Sequence, residues 1–266
     1  MRTNRVKTAL KAGKSQVGTW LSLGSPLAAR FMAQVGFDWL NVDIEHSATS
    51  WEEAALMFGA IADAGGVPLA RVPTNSLENA KRALDNGAYG IVFPMCCSVE
   101  EARNAVAYCK YPPVGERSVG GNLHSLNFQC STSEYYARAN DELLVIIQAE
   151  HVTAVENADS ILAVPGVDVV FVGPNDLLAS MHKTPSMDCD DPQFVEALRH
   201  IRETAHKHGV APGIHVANAE AARRRIDEGW QFIAVSSEIG FMQQAGATVV
   251  NSVIASPHNA GATARY

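Results

Sequence analysis

Eight short apolar runs, each followed by a stretch with helical punctuation, recur along almost the whole chain. They are Val17–Leu21, Trp39–Val42, Pro68–Arg71, Gly90–Phe93, Leu143–Gln148, Asp168–Val172, Ala211–Ile214 and Phe232–Val235. Most are continuous rather than alternating, which is how strands buried on both faces read. The intervening segments carry start and stop signals. Ser50 precedes Trp51 and Glu53, and Gly65-Gly66 closes that segment. Asn75 or Ser76 can cap a helix that runs to Asn86-Gly87. Asp191-Pro192 supplies a cap and a proline at the first helical position, and Gly209 ends that helix. Asn218 opens another, whose Arg223-Arg224-Arg225 run reads as a solvated face.

Strand–helix alternation of this kind argues a parallel sheet covered by helices. A chain of 266 residues has the size of a (β/α)8 TIM barrel. The rival is a doubly wound open sheet, which usually carries a G-x-G-x-x-G loop after its first strand. Here that loop reads Leu23-Gly24-Ser25-Pro26. The expectation is one α/β barrel domain over residues 1–254, with a small, polar, frayed tail over 255–266. The long connection from Tyr111 to about Asn140 is expected to be functional or an interface.

Charge and cysteine content narrow the class. A formal charge of −7 argues against general nucleic-acid or anionic-membrane binding. No apolar run approaches the roughly 18 residues that span a bilayer, and the N-terminal segment lacks the apolar core of a secretion signal. Cys96, Cys97, Cys109, Cys130 and Cys189 include no C-x-x-C spacing, so neither a zinc knuckle nor a disulfide framework is expected. The sum is a soluble, cytoplasmic protein.

In a barrel of this type, chemistry sits at the C-terminal strand ends. Those ends hold Asp43, Glu45 and His46, then Arg71, Gln148 and Glu150, Asn175 and Asp176, His215, and Ser236, Ser237 and Glu238. Glu150 and Asp176 end adjacent strands. Their oxygens suit a hard divalent cation that keeps waters, though they also suit helix caps or loop carboxylates. Asp43-x-x-His46 can orient an imidazole as a base near neutral pH, or be an N-cap beside an incidental histidine. Arg71 can hold a carboxylate in a fork or form a structural ion pair. His215 can face the mouth, where an imidazole offers a donor and an acceptor, or turn into the helical layer and bond a backbone carbonyl. Other chemistries are disfavoured. Gly13-Lys14-Ser15 lacks the earlier P-loop glycine, no G-x-S-x-G elbow occurs, and none of the seven lysines lies in an expected strand, which argues against imine catalysis.

At these residues the chain resembles the class II pyruvate aldolases of the HpcH/HpaI, or 4-hydroxy-2-oxoheptanedioate aldolase-like, family. The similarity runs from about Val17 to Gln244. It is carried by Asp43-Ile44-Glu45-His46, Arg71-Val72-Pro73, Tyr111-Pro112-Pro113-Val114-Gly115-Glu116-Arg117, Gln148-Ala149-Glu150, Gly173-Pro174-Asn175-Asp176-Leu177 and Ala211-Pro212-Gly213-Ile214. The resemblance implies reversible cleavage of a 4-hydroxy-2-oxo acid into pyruvate and an aldehyde. It implies a divalent metal on Glu150 and Asp176 (Mg2+ or Mn2+ first, Co2+ or Zn2+ also compatible). His46 supported by Asp43 is then the acid/base, Arg71 steadies the enolate, and Gln148, Gly173 and Pro174 line the keto-acid site. Asp85 matches a carboxylate that supports the site from a neighbouring subunit. The family pattern also implies a homo-hexamer built as a trimer of dimers that exchange their last helix. The chain departs from the pattern at His215, usually aliphatic, at Glu238, usually Asp, and at Cys96-Cys97; a His215 that faces the mouth would favour small hydroxylated or carbonyl-rich aldehydes over long apolar ones. Two alternatives stand beside this: a CoA-ester lyase of the citryl- or malyl-CoA type, and a keto-acid-binding protein without turnover.

Overall fold

Every apolar run is a strand, and the eight close in sequence order into one parallel barrel. The strands are β1 (Gln16–Leu21), β2 (Trp39–Asp43), β3 (Pro68–Arg71), β4 (Gly90–Phe93), β5 (Leu144–Gln148), β6 (Val169–Val172), β7 (Ala211–Val216) and β8 (Phe232–Ser237). The computed structural model describes residues 1–253; the tail expected over 255–266 lies outside them. Strand ends move by a residue or two from the sequence expectation. β5 starts later because Leu143 caps the preceding helix, and β8 runs on into the mouth.

The helices are α1 (Arg5–Lys11), α2 (Pro26–Ala33), α3 (Trp51–Asp63), α4 (Leu77–Asp85), α5 (Val99–Cys109), α6 (Leu123–Asn127), α7 (Thr132–Glu142), α8 (Val152–Glu156), α9 (Ala158–Leu162), α10 (Pro174–Ser180), α11 (Pro192–His208), α12 (Ala219–Asp227) and α13 (Glu238–Val253). Their caps follow the sequence signals. Ser50 and Glu53 form a reciprocal capping box on α3. Ser76 rather than Asn75 caps α4, because the Asn75 amide is spent on the Glu101 carbonyl. Asp191 caps α11, and Gly209 ends it in the left-handed region at φ 68°. On the arginine run of α12, Arg223 and Arg224 are exposed as expected and Arg225 is half-buried; Arg224 and Arg225 both pair with Asp188. Among the described residues no helix is long and apolar enough to cross a membrane.

The connection from Tyr111 to Asn140 is not an open loop. It carries α6 and α7 and a packed aromatic cluster in which Tyr89 stacks on Phe128 and His124 on Tyr135. Fully buried Arg117 lies 4.5 Å over Tyr111. The sequence hid α6 because it has five residues and no side-chain cap, whereas Ser131 and Glu134 do mark the start of α7.

The barrel interior is filled from the base upward. Trp39 stacks on Phe232 at 4.1 Å between centroids. Gly18 makes that possible, since a Cβ there would lie 2.1 Å from the indole. Phe171 packs edge-on against Phe232 and against Trp20. Burying each such ring contributes about 2 kcal/mol. Above Trp20 the apolar packing stops, and the polar strand ends begin.

Candidate active site

Asp43 and Arg71 are register partners at the ends of β2 and β3, so their side chains rise together. The guanidinium meets the carboxylate in a fork, Nε to Oδ1 at 3.0 Å and Nη2 to Oδ2 at 2.6 Å. Nε also lies 3.2 Å from Glu45 Oε2, and Cζ lies 4.4 Å over the Trp20 ring. Burial opposes the charge on Arg71, but Asp43 and Glu45 outweigh it and raise its pKa. The group is a fixed cation, held flat from below and from one side.

The Asp43 carboxylate also accepts from the backbone N–H groups of Glu45 and His46. It therefore shapes the loop that carries His46 and does not touch the imidazole, contrary to the expected orienting contact. The reason is Arg71, which claims the carboxylate. The His46 ring stands at the rim, 67% exposed, with Nε2 3.8 Å from Glu45 Oε1. Burial raises the pKa of Glu45, against the pull of Arg71.

Across the mouth, Gln148 ends β5, and Glu150 follows it, buried. Gln148 Nε2 donates to Glu150 Oε2 at 2.7 Å, and the Met95 N–H donates to Oε1 at 3.0 Å. Met95 adopts a left-handed φ of 51° that aims this N–H, a strained conformation for a residue with a side chain. Gly173 is a cradle for the carboxylate, since a Cβ there would sit 2.4 Å from Glu150 Oε2. Gly173 caps α10, buried Pro174 opens it, and Asp176 lies exposed in its first turn. Burial pushes Glu150 up to about 7; the Met95 N–H and Arg71 oppose this, and the charges of Asp176 and Glu45 add to it. The charges of Glu150, Asp176 and Glu45 thus act on one another across the mouth.

That gathering of like charge fits a hard cation. Among the described residues no group of three or more His, Cys, Asp or Glu side chains converges on a metal position. Glu150 and Asp176 would be the two protein ligands, leaving positions open for water and substrate. Gln148 Oε1, beside them, is buried with no partner.

His215, on β7, faces into the barrel and not the helical layer: its ring lies 5.7 Å from that of Trp20. It nevertheless bonds a backbone carbonyl, Ser236 O, at 3.0 Å, so parts of both expectations hold. Burial lowers its pKa to about 4 and keeps it neutral. Ser236 is itself left-handed at φ 50°. Glu238 turns back from α13 to accept from the Ser22 and Leu23 amides, tying off the first loop of the mouth.

Two groups lie outside this cluster. Asp85, at the end of α4, is not brought to the mouth of its own chain; it pairs with Arg117 at 2.7 Å. Cys96 is buried with its thiol pushed up to about 12, and Cys97 is also raised, so neither is an activated nucleophile. Sequence reasoning missed Trp20 and Met95. Counting in twos along β1 from Gly18 would have placed Trp20 inside, whereas a strained N–H donor leaves no mark in composition.

The HpcH/HpaI aldolase/citrate lyase family model matches residues 16–245. A 5-keto-4-deoxy-D-glucarate aldolase from Enterobacter sp. (strain 638) is 35% identical over 249 residues, covering 94% of this chain and 96% of that one. The structure of an HpcH/HpaI aldolase/citrate lyase family protein from Burkholderia cenocepacia J2315 superposes with a TM-score of 0.88 at 33% identity, covering 94% of this chain and 99% of the other. That of an HpcH/HpaI aldolase from Desulfitobacterium hafniense DCB-2 gives 0.87 at 35%, covering 95% and 97%. With a barrel of eight strands, its charged mouth and these likenesses in agreement, the chain belongs to the HpcH/HpaI aldolase/citrate lyase family and is a lyase of the aldolase type.

Proposed function

We propose that the protein is a class II, divalent-metal-dependent aldolase that reversibly cleaves a 4-hydroxy-2-oxo acid into pyruvate and an aldehyde. The observation that carries this is Glu150, buried against Gly173 at the start of the helix that bears Asp176, with Arg71 fixed by Asp43 at the same end of the barrel. Glu150 and Asp176 would hold the ion, Mg2+ or Mn2+, which when bound supplies Lewis acidity to the keto group. Gln148, Gly173 and Pro174 would wall the keto-acid half. His46, at the wet rim, would take the C4 hydroxyl proton. As the C3–C4 bond breaks, its electron pair passes into the pyruvyl unit as an enolate, and C4 leaves as the aldehyde carbonyl. Arg71 meets the charge that develops on the enolate oxygen, without having to reorganise. Protonation at C3 completes pyruvate.

Asp43 supports both Arg71 and the His46 loop. Asp85 and Arg117 would complement a neighbouring subunit's mouth in a homo-hexamer arranged as a trimer of dimers. Exposed apolar side chains favour such an assembly: Leu27, Phe31 and Val35 on and after α2, and Met242, Val249 and Val253 on α13. The remaining expectations are a small-molecule substrate, a cytoplasmic location, and no nucleic-acid or membrane partner.

A dehydrogenase-coupled assay for pyruvate over a panel of 4-hydroxy-2-oxo acids tests the reading. Pyruvate release from at least one supports it. Cleavage of CoA esters alone would favour the CoA-lyase alternative, and keto-acid binding without turnover the non-catalytic one.

A further inference from the structure

Two carboxylates stand beside Arg71, and only one of them also reaches the His46 ring. Asp43 Oδ1 accepts from Arg71 Nε and from the Glu45 and His46 amides, and Oδ2 accepts from Arg71 Nη2. Its contacts are with the guanidinium and the loop backbone, and none is with the imidazole. Glu45 is placed differently. Its Oε2 lies 3.2 Å from Arg71 Nε, and its Oε1 lies 3.8 Å from His46 Nε2. One carboxylate therefore spans from the fixed cation to the rim histidine.

Burial gives this bridge a direction. The Arg71 and Glu45 side chains are largely buried, whereas the His46 ring is exposed. The carboxylate is anchored at its arginine end, so it is the ring that is held. Burial raises the pKa of Glu45, and the attractions that oppose this come from Arg71 first and His46 second, the same two groups. Among the described residues no other carboxylate lies within ion-pair distance of the ring. A separation of 3.8 Å is longer than a hydrogen bond. Catalytic contacts, however, are often long before substrate arrives and tighten in its complex. A carboxylate facing Nε2 favours the tautomer with the proton there, which leaves Nδ1 as the bare acceptor, the atom able to take a proton.

We propose that Glu45 is the positioning residue for the acid/base step: held by Arg71, it fixes the His46 ring with Nε2–H toward itself and Nδ1 toward the C4 hydroxyl. The inference rests on the aldolase reading above and adds to it the residue that makes His46 a base. The C4 hydroxyl gives its proton to Nδ1 as the C3–C4 electron pair moves into the enolate. The ring is then a cation, which Glu45 stabilises without itself taking the proton. C3 takes up one proton and the ring gives one back to solvent, so the step balances. The enolate charge meets Arg71 at the other end of the same bridge, and one preassembled unit answers both charges that develop.

Glu45→Gln keeps the shape of the side chain and removes its charge. In the pyruvate-release assay it should lower kcat at least about tenfold with KM close to wild type, because the group acts on proton transfer and not on substrate binding. Glu45→Asp keeps the charge but draws it back from the ring. It should recover part of that loss, and it carries the same comparison if the glutamine variant folds poorly. The ring itself is read by long-range 1H–15N spectra of protein labelled at histidine, with the His46 signals identified by their loss in His46→Gln. At a pH where the ring is neutral, wild type should show the Nε2–H tautomer and Glu45→Gln a mixture of the two. Wild-type kcat in Glu45→Gln, or a His46 tautomer that it leaves unchanged, overturns the role of Glu45 and leaves the aldolase reading intact. A wild-type enzyme that releases pyruvate from none of the 4-hydroxy-2-oxo acids overturns both.

Discussion

Both ends of the barrel bury charge, and they use it in opposite ways. At the base, Lys7 Nζ donates to Leu143 O at 2.7 Å and pairs with Asp168 at 2.9 Å. Asp168 also accepts from Val145 N, at the start of β5. Lys110 Nζ donates to Asn140 O and Leu143 O, and Glu142 accepts from Asn4 N. Each of these charged groups is spent on the backbone where strands begin. The hollow of about 610 Å3 that opens there is lined by Lys7 and Lys110, whose bonds are already made, and by Lys11. At the mouth, Asp43, Glu45 and Glu150 act on one arginine, Asp176 adds its charge to Glu45 and Glu150, and Gln148 Oε1 and Trp20 Nε1 have no partner. Burial alone therefore does not mark a functional residue. An unanswered group alone does not mark one either, since Trp230 Nε1 near the base has no partner; what distinguishes the mouth is like charge gathered at the strand ends beside such groups.

The comparison breaks first, and most visibly, at the metal carboxylates. Glu150→Ala or Asp176→Ala should cut kcat/KM by about a thousandfold or more, as expected where a cation stabilises developing charge. Circular dichroism and the melting temperature should stay close to wild type. A smaller loss follows from Arg71→Lys, which keeps the charge but loses the planar fork shared with Asp43. Steady-state kinetics should show kcat reduced by about a hundredfold. Wild-type kinetics in that variant would remove Arg71 from the chemistry. The base should respond in the other currency. Lys7→Ala strands Asp168 in a largely buried place and should cost about 3 kcal/mol, lowering Tm by roughly 6–12 °C. Its kcat/KM, measured well below that Tm, should match wild type. An active-site defect without lost stability would erase the distinction between the two ends.

Strand placement was legible because barrel strands are buried on both faces and read as unbroken apolar runs. Helix starts such as Ser50, Ser76 and Asp191 were legible because capping is local chemistry. α6 escaped because a five-residue helix without a side-chain cap has no periodicity to detect. At the site, position at a strand end identified Arg71, Glu150 and His215, since the fold class fixes where those ends point. Pairing was less visible. Asp43 serves Arg71 rather than the His46 ring because two parallel strands in register bring side chains together that are 28 positions apart. The Asp85–Arg117 pair illustrates the same limit, since 32 positions separate its members. The Met95 N–H is further from sequence still, because backbone strain depends on the loop as a whole.

The central claim is that the unanswered charge at the mouth is a cation site and the answered charge at the base is not. Titration of Mn2+ into chelator-stripped protein, followed by electron paramagnetic resonance of the free ion, tests this directly. Wild type and Lys7→Ala should each take up one ion per chain, and Glu150→Ala and Asp176→Ala should take up none at the same concentrations. Undiminished Mn2+ uptake by both carboxylate variants, or full aldolase activity in wild type after exhaustive chelation, would contradict the account.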